Sequence, residues 1–274
     1  MGYTGNKNGA GNANPAKDDG NGSLRLNKFL SASGICSRRE ADRLIAEGKV
    51  FIDGKAAGMG DKVMPGQSVV CDGKKVEGRD CPVLLAVNKP RGIVCTTSNR
   101  DRAQNIVEFV GYPVRIYPVG RLDKDSEGLI LMTNEGELVN RILRARNHHE
   151  KEYLVWVDRP VTPEFLRKME NGVAILDTVT RPCRAEKTGE KSFRIVLTQG
   201  LNRQIRRMCE ALGYHVCRLK RVRILNIELG GLETGRFREV TEKERRELEA
   251  LLEEKKDGRE GHSGRKSREN PQSR

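Results

Sequence analysis

The order of the apolar runs between residues 83 and 256 restricts the fold of this chain more than any other feature. Six runs have the length and composition of buried strands, at residues 84–87, 92–96, 129–133, 153–157, 193–197 and 224–229. Helical patterns interrupt them at uneven intervals, so the regular strand–helix alternation of a doubly wound parallel sheet is missing. The order predicts an α+β domain built on a mixed, mostly antiparallel sheet.

Start and stop signals predict four helices within this segment. The first follows Asn134 and Glu137 and covers residues 138–143, and the second starts at Thr162-Pro163 and stops at Gly172. The third starts at Asn202 and stops at Gly213, and the last starts at Thr241 with Glu244. In each case the first residue has a side-chain oxygen that can accept a hydrogen bond from a free backbone N–H of the first turn.

A smaller module precedes this segment. Ser37 and Glu40 have the spacing of a capping box, apolar residues follow at helical intervals, and Gly48 stands where the helix would stop. The run 50–52 and the turn pair Asp53-Gly54 then indicate a hairpin. Residues 24–80 are therefore expected to form a compact helix–helix–hairpin domain, and residues 83–252 the larger domain.

The two ends of the chain have a different composition. Residues 1–23 and 257–274 contain almost no large apolar groups, so we expect them to be disordered. The start lacks the apolar segment of a secretory signal, and no stretch reaches the ~18 apolar residues of a membrane helix. A cytoplasmic protein is the resulting expectation. Seven cysteines without a C-x-x-C pair argue against a disulfide framework and a zinc ribbon.

The net charge of +13 predicts a polyanionic partner, which charge alone leaves open between nucleic acid and an anionic membrane surface. Residues 24–75 contain ten Lys/Arg against six acids, a net of +4. Arg39 and Arg43 share one helical face, which Arg38 and Lys28 can extend. A solvated helix surface with Arg38 paired to Asp42 explains this charge equally well.

The segment RLNKFLSASGICSRREADRLIAEGKVFIDG resembles the small S-four-type RNA-binding domain, named after a protein of the small ribosomal subunit. The resemblance covers nearly all of residues 24–75. It implies that the two helices lie against structured RNA through phosphate contacts, which give affinity and register rather than sequence readout. The residues assigned to this contact are Arg25, Lys28, Arg38, Arg39 and Arg43.

Two further stretches contain most of the reactive side chains. Residues 120–128 form a polar loop between apolar strands, with Asp123 among three acids, one Arg and one Lys. Residues 200–223 contain seven Lys/Arg and one acid, a net of +6. Ile205, Met208, Cys209 and Leu212 would form the apolar face of a helix there, with Arg203, Arg206 and Arg207 projecting away from the core. The alternative is a solvated loop beside a solvated basic face.

The segments GRLDKDSEGLILMTNEGELVNRIL, KEYLVWV and GLNRQIRRMCEALGY are similar to three signature segments of the RNA pseudouridine synthases. The resemblance covers residues 24–250 and implies a pseudouridine synthase catalytic domain. It assigns the essential aspartate to Asp123, the active-site tyrosine to Tyr153, and the basic partner of the aspartate to Arg206, with Arg203 as the alternative. Arg121 and Lys124 match positions that handle RNA around a flipped nucleotide, and Arg203, Gln204 and Arg207 complete the expected RNA contacts.

The reaction that this resemblance implies suits the residue types. Uridine becomes pseudouridine when the glycosidic nitrogen–carbon bond breaks and uracil rejoins the ribose through carbon 5. No atom is gained and no electron is transferred, so no cofactor and no metal is expected. An ionised carboxylate would act as nucleophile or as base at the ribose, a nearby cation would keep it ionised, and Tyr153 could accept the carbon-5 proton. The target nucleotide must leave its stack, at a cost of a few kcal/mol.

The resemblance implies large-subunit (23S) ribosomal RNA, in a structured stem-loop, as the substrate of a monomeric enzyme that does not bind membranes. Small-subunit ribosomal RNA and transfer RNA stay open, as does the identity of the uridine. A non-catalytic ribosome-associated protein is a rival, but Asp123, Tyr153 and the basic residue occur together. A methyltransferase with an S-four-type domain would need a glycine-rich cofactor loop, which the sequence lacks.

Overall fold

The computed structural model describes residues 22–76, 81–96, 104–144 and 148–257. The expected disordered ends lie almost wholly outside these residues. The chain divides into two compact units between Asp80 and Cys81, and each unit is described by itself. None of the helices in the described ranges is both long and apolar enough to cross a lipid bilayer.

The N-terminal unit is the helix–helix–hairpin arrangement expected from the sequence. Its elements are β1 (Leu24–Arg25), α1 (Leu26–Ala32), α2 (Arg38–Ala46), β2 (Val50–Ile52), β3 (Lys55–Ala56), β4 (Lys62–Val63), β5 (Val69–Cys71) and β6 (Lys74–Lys75). The strands form a four-stranded sheet in the order β3-β2-β5-β6 and a separate β1–β4 pair. Leu26, Leu30, Ala41 and Val50 belong to its buried core.

The start of α2 explains why this helix forms where it does. Ser37 Oγ accepts a hydrogen bond from the backbone N–H of Glu40 at 3.1 Å, as a capping residue should. The reciprocal half of the predicted capping box is replaced, because the Glu40 carboxylate accepts from Arg43 Nε at 3.1 Å instead. Buried Ala41, Leu44 and Ile45 then set the face that α2 turns to the core.

The larger unit contains the remaining elements. Its helices are α3 (Ile106–Val110), α4 (Gly136–Leu143), α5 (Pro163–Asn171), α6 (Gln204–Ala211) and α7 (Glu242–Asp257). Its strands are β7 (Leu84–Lys89), β8 (Tyr117–Pro118), β9 (Glu127–Thr133), β10 (Lys151–Val157), β11 (Ala174–Ile175), β12 (Thr178–Val179), β13 (Arg184–Gly189), β14 (Ser192–Leu197), β15 (Val216–Ile224), β16 (Ile227–Glu228) and β17 (Phe237–Glu239).

Nine of these strands form one mixed sheet in the order β13-β14-β10-β15-β9-β7-β17, with β16 paired to β15 and β8 to β9. The junction of its two halves is the β9–β15 pair, which runs parallel while the neighbouring pairs run antiparallel. Gly128 lies at this junction with φ +101°, and a Cβ there would collide with the carbonyl of Arg221. The mixed, mostly antiparallel sheet predicted from the sequence is confirmed.

Apolar cores lie on each half of the sheet. Val155, Phe193 and Ile195 pack with α5 and α6 in one cluster, and Leu129 and Leu131 pack with α4 and α7 in another. A further cluster, around Leu85, Ile130 and Ile106, covers the other face of β7 and β9. Tyr153 packs partly buried against the first and the last of these clusters. The side chain of Tyr153 therefore lies where the two halves of the sheet meet.

Two predicted strands are wrong in part. Residues 92–96 form a single bridge, Val94 to Asn105, because their carbonyls and apolar side chains serve other partners. Ile93 and Cys95 are buried in a core cluster, and the Ile93 carbonyl accepts from Lys89 Nζ. The run 224–229 is interrupted at Leu225, which has a left-handed φ of 53°, so the chain turns there from β15 into β16.

Two predicted caps are also wrong, and two are confirmed. Asn134 instead fixes residues 81–83, accepting from the Val83 N–H and donating to the Cys81 carbonyl, so α4 begins one residue after Glu135. Arg203, with φ 50°, replaces Asn202 at the start of α6. Thr162 caps α5 through the Phe165 N–H, and Thr241 and Glu244 hydrogen-bond each other's backbone N–H groups before α7.

Candidate active site

A cleft of about 490 Å³ lies on the larger unit, where the loop before β9 meets β10, β15 and the start of α6. Its wall includes Asp123 and Tyr153, so the structure brings together the two residues that the sequence singled out first. Basic side chains surround them: the lining includes Arg121, Arg144, Lys151, Arg203 and Arg221. Among the described residues of the lining, Asp123 is the one carboxylate.

The loop that carries Asp123 is held in place by hydrogen bonds of its backbone. The Ser126 N–H donates to the Asp123 carbonyl at 3.0 Å and closes a turn around the aspartate. The Lys124 carbonyl accepts from the Gly92 N–H at 2.8 Å. Arg121 and Lys124 have exposed side chains, as expected for residues that contact RNA.

Asp123 forms an ion pair with Arg203, whose Nη1 lies 3.8 Å from Oδ2. The same guanidinium nitrogen lies 4.0 Å from Asp125. Arg203 can reach both carboxylates because it occupies the left-handed cap position of α6, from which its side chain returns toward the loop. The residue that the sequence held as the alternative partner of Asp123 is thus the one that pairs with it.

Arg206 differs from its prediction in two respects. It is buried with 8% exposure rather than projecting into solvent, because the turn of α6 places it between the sheet and the Asp123 loop. Its guanidinium donates to the Val216 carbonyl at 3.1 Å and the Asp125 carbonyl at 3.2 Å, and contacts Ser126 Oγ at 3.5 Å. Burial lowers the pKa of this guanidinium. Arg206 therefore supports the loop, and its contacts with Asp123 are electrostatic and longer than an ion pair.

Tyr153 and Lys151 lie two residues apart on β10 and so share one face of the strand. Arg221 is the cross-strand neighbour of Tyr153, and its guanidinium carbon lies 6.0 Å from the centre of the ring. Burial, with a smaller contribution from Arg221, lowers the pKa of Lys151 to about 8. The wall opposite Asp123 therefore combines a phenol with two cations.

Two of the expected RNA contacts beside the cleft are occupied within the chain. Gln204 is buried, and its side-chain oxygen accepts from the Leu201 N–H at 3.0 Å, so it shapes the wall of the cleft from inside. Arg207 donates to the carbonyl of Asn202 at 3.2 Å and remains half-buried. The tight start of α6 thus uses both side chains, with Gln204 buried and Arg207 half-buried.

In the N-terminal unit, the proposed RNA contacts fall into two groups. Arg25, Arg38 and Arg39 are exposed, and Lys28 is half-buried. Arg43 also lies at the surface, but it is bound to Glu40 and Glu47, with 2.6 Å between Arg43 Nη1 and Glu47 Oε1. The alternative Arg38–Asp42 pair does not form, since Asp42 accepts from Asn27 Nδ2 at 2.8 Å.

Sequence reasoning missed three basic residues of the site: Lys89, Lys151 and Arg221. Lys89 has a visible signal, because it closely follows the apolar run 84–87 and directly precedes a proline. Lys151 could have been found from its i, i+2 spacing to Tyr153. Arg221 was counted only as part of a basic surface, although it is buried, with only 3% of the residue exposed.

Comparisons with known proteins show which family the chain belongs to. The family model described as RNA pseudouridylate synthase matches residues 83–211, and the S4 domain model matches residues 24–69. The chain is 56% identical over 233 residues to the dual-specificity RNA pseudouridine synthase RluF of Escherichia coli (strain K12), spanning 84% of this chain and 80% of that protein. It is 38% identical over 236 residues to the ribosomal large subunit pseudouridine synthase B of Bacillus subtilis (strain 168), spanning 83% and 96%.

A solved structure agrees as well. The crystal structure of a pseudouridylate synthase matches with a TM-score of 0.61 and 28% identity, covering 82% of this chain and 99% of that one. The family resemblance and the domain order expected from the sequence are thereby confirmed. On these similarities, the chain belongs to the RNA pseudouridine synthases and is an enzyme that isomerises uridine in RNA.

Proposed function

We propose that this enzyme converts specific uridines of large-subunit ribosomal RNA to pseudouridine, with Asp123 as its essential carboxylate. The observation that carries the proposal is the position of Asp123, the one carboxylate on the described wall of a cleft otherwise rich in cations. The cations of the cleft outnumber its one carboxylate, so they can bind the phosphates of RNA. Asp123 then faces the flipped nucleotide and can react with it.

The reaction assigns a role to each group. The bond between uracil N1 and ribose C1′ breaks, and a bond between uracil C5 and C1′ forms. Ionised Asp123 supports the cleavage in one of two ways. It attacks C1′, and the resulting ester bond breaks when C5 bonds to C1′, or it removes the C2′ proton and returns it to C2′ once C5 has bonded. After the new bond forms, C5 carries a surplus proton, which Tyr153 accepts while N1 regains one. Arg203 pairs with the carboxylate, and Arg206 holds the loop beneath it.

The surrounding basic groups bind the RNA. Arg121, exposed beside Asp123 on the loop, takes the place of the flipped nucleotide and offsets part of its unstacking cost. Lys124 and the rim of the cleft contact the neighbouring phosphates. Arg25, Lys28, Arg38 and Arg39 of the N-terminal unit contact phosphates of a structured stem-loop, which gives affinity without sequence readout.

The names of the relatives support the choice of substrate. One acts on the large ribosomal subunit, and another is a dual-specificity enzyme that is 56% identical to this chain. We therefore include a second RNA substrate, with transfer RNA as the candidate. A monomeric enzyme, in which the same chain provides Asp123, Tyr153 and the cations around them, completes the proposal. It works in the cytoplasm, where ribosomal RNA is made in bacteria.

Release of tritium from RNA labelled at carbon 5 of uridine tests the proposal. Fragments of large-subunit RNA, small-subunit RNA and transfer RNA are incubated with wild-type enzyme and with Asp123→Asn. We expect release from large-subunit RNA by the wild type, none by Asp123→Asn, and equal RNA affinity for both. Undiminished release by the variant would remove Asp123 from the mechanism. Release from small-subunit RNA alone would overturn the substrate.

A further inference from the structure

Lys89 is completely buried at the end of β7, which is a costly place for an ammonium group. Its Nζ donates to the carbonyls of Pro90 at 2.8 Å and Ile93 at 2.9 Å, and contacts the carbonyl of Lys124 at 3.5 Å. Within the described residues it forms no ion pair with a carboxylate. Burial lowers its pKa, while Asp123 and Asp125 act in the opposite direction, so it lies within the electrostatic range of the catalytic loop.

Arg221 repeats this arrangement from the other side of the loop. It is 3% exposed, its Nε donates to the Leu129 carbonyl at 2.7 Å, and its Nη1 contacts the Arg121 carbonyl at 3.5 Å. Its Nη2 is buried and has no hydrogen-bond partner among the described residues. A buried guanidinium that donates hydrogen bonds only to carbonyls, with one nitrogen lacking a hydrogen-bond partner among the described residues, is poorly explained by stability.

Together with Arg206, these residues surround the loop. Lys89 comes from β7, Arg206 from α6 and Arg221 from β15, and each donates to backbone oxygens of the loop. The carbonyls they reach lie on both sides of Asp123: those of Arg121, Lys124, Asp125 and Leu129. The loop is thus anchored by three cations that are not paired with buried carboxylates.

Burying a cation is costly, and hydrogen bonds to carbonyl oxygens offset only part of that cost. The presence of three such cations around one loop therefore indicates a task besides stability. A carboxylate that must meet a flipped nucleotide needs a fixed position, since a displacement of about 1 Å can cost ~100-fold in rate. Carbonyls anchored before and after Asp123 supply this fixed position.

We propose that Lys89 and Arg221 are positioning residues of the isomerisation, which fix the carboxylate of Asp123 by holding the carbonyls on either side of it. The inference rests on the proposed role of Asp123. Neither residue needs to touch the RNA, and both act through the loop.

Lys89→Met in the full-length chain tests this proposal, because methionine has a similar length without the charge. The exposed Lys168→Met on α5 is the matched control. Three quantities are measured: thermal unfolding, the affinity for a large-subunit RNA stem-loop, and the single-turnover rate at saturating enzyme. We expect a variant that is fully folded at the assay temperature, an affinity within threefold of the wild type, and a rate lowered at least tenfold. Lys168→Met should change none of these.

A Lys89→Met enzyme with the wild-type rate would overturn the proposal, and so would a rate loss matched by an equal loss of folded protein or of RNA affinity. Should Lys89→Met not fold, Arg221→Lys decides: it keeps the charge but cannot reach both carbonyls, so the rate should again fall at least tenfold at constant affinity. Unchanged turnover by Arg221→Lys would overturn the proposal as well. Asp123→Asn separates the two levels, since release of tritium by that variant contradicts the proposed function itself, whatever Lys89→Met does.

Discussion

The ion pair between Arg203 and Asp123 spans 3.8 Å from Nη1 to Oδ2, with 40% of the arginine and 34% of the aspartate side chain exposed. Exposed ion pairs of this kind contribute at most ~1 kcal/mol, so the geometry of the cation has little energy to lose. Arg206, by contrast, is buried and uses its fork to join β15 to the loop through two carbonyls. The two arginines at the start of α6 therefore have different roles: Arg203 pairs with the carboxylate and Arg206 supports the loop.

Their lysine variants should differ accordingly. Arg203→Lys keeps a charge beside Asp123, so its single-turnover rate should stay within about threefold of the wild type. Arg206→Lys cannot bind the Val216 and Asp125 carbonyls at once, so the loop loses a support and the rate should fall ~100-fold. Single-turnover measurements on the same stem-loop check both values. Equal losses in the two variants would contradict this division of roles.

The basic residues of α2 should contribute unequally to RNA binding. Arg38 and Arg39 are exposed and form no ion pair within the described residues, whereas Arg43 is bound by two glutamates. Each lost phosphate contact lowers the slope of log affinity against log salt by ~0.7–0.9. We expect Arg38→Gln and Arg39→Gln to reduce this slope and Arg43→Gln to leave it nearly unchanged. Affinity titrations at several salt concentrations measure it, and a larger effect at Arg43 would argue against phosphate binding by Arg38 and Arg39.

Lys151 should make RNA binding sensitive to pH in the mildly alkaline range. Burial and Arg221 lower its pKa to about 8, so it loses its positive charge as the pH rises through that value. Between about pH 7 and about pH 9, the affinity of the wild type should fall ~fivefold, the effect of one interaction of ~1 kcal/mol. Lys151→Arg keeps its charge over this range and should show the smaller dependence. Titrations of both proteins with the same RNA decide; identical pH profiles would exclude Lys151 as the cause.

Glu244 should contribute to the stability of the folded state by an amount that depends on pH. Its hydrogen bond to Arg238 and its contacts with Thr241 lower the pKa of the carboxyl group from 4.5 to about 2. A carboxylate whose pKa is lowered by folding stabilises the folded state at pH values above its pKa in the unfolded chain. This contribution is lost as the pH falls from 4.5 toward 2. Glu244→Gln should cost on the order of 3 kcal/mol at neutral pH and progressively less below about pH 4.

Chemical unfolding at several pH values measures that difference. Glu242→Gln, in the same first turn but exposed, is the control and should be nearly silent. A Glu244→Gln cost that stays constant down to about pH 3 would show that the ion pair with Arg238 is not its source.

The features that could be predicted from the sequence depend on residues that are close together along the chain. The cap at Thr162, the Thr241–Glu244 box and the runs at β7, β9, β10 and β14 all follow from local pattern, and all are present. Asp123 and Tyr153 were found because their motifs are specific. What failed depended on distant partners: Asn134 binds residues 81–83, about fifty positions earlier, so it was not available as a helix cap.

The cations of the site also depend on partners that are distant along the chain, so their roles could not be predicted from the sequence. Arg206 and Arg221 have the composition of a basic surface, and only the fold shows that they are buried against the loop. Their partners are carbonyl oxygens, which every residue possesses and which leave no trace in the sequence. The left-handed conformation of Arg203 is equally invisible, because nothing in G-L-N-R-Q requires it.

The junction at Gly128 has a consequence for the order of events during folding. The loop of Asp123 leads directly into β9, which pairs with β15, and the Arg221–Leu129 hydrogen bond across this junction joins residues 92 positions apart. Contacts over such separations form late, because the intervening chain must first be brought together. A chain still emerging from the ribosome therefore holds its catalytic loop without the strand that completes the site. The enzyme becomes competent to modify RNA only after nearly all of its larger domain has been synthesised.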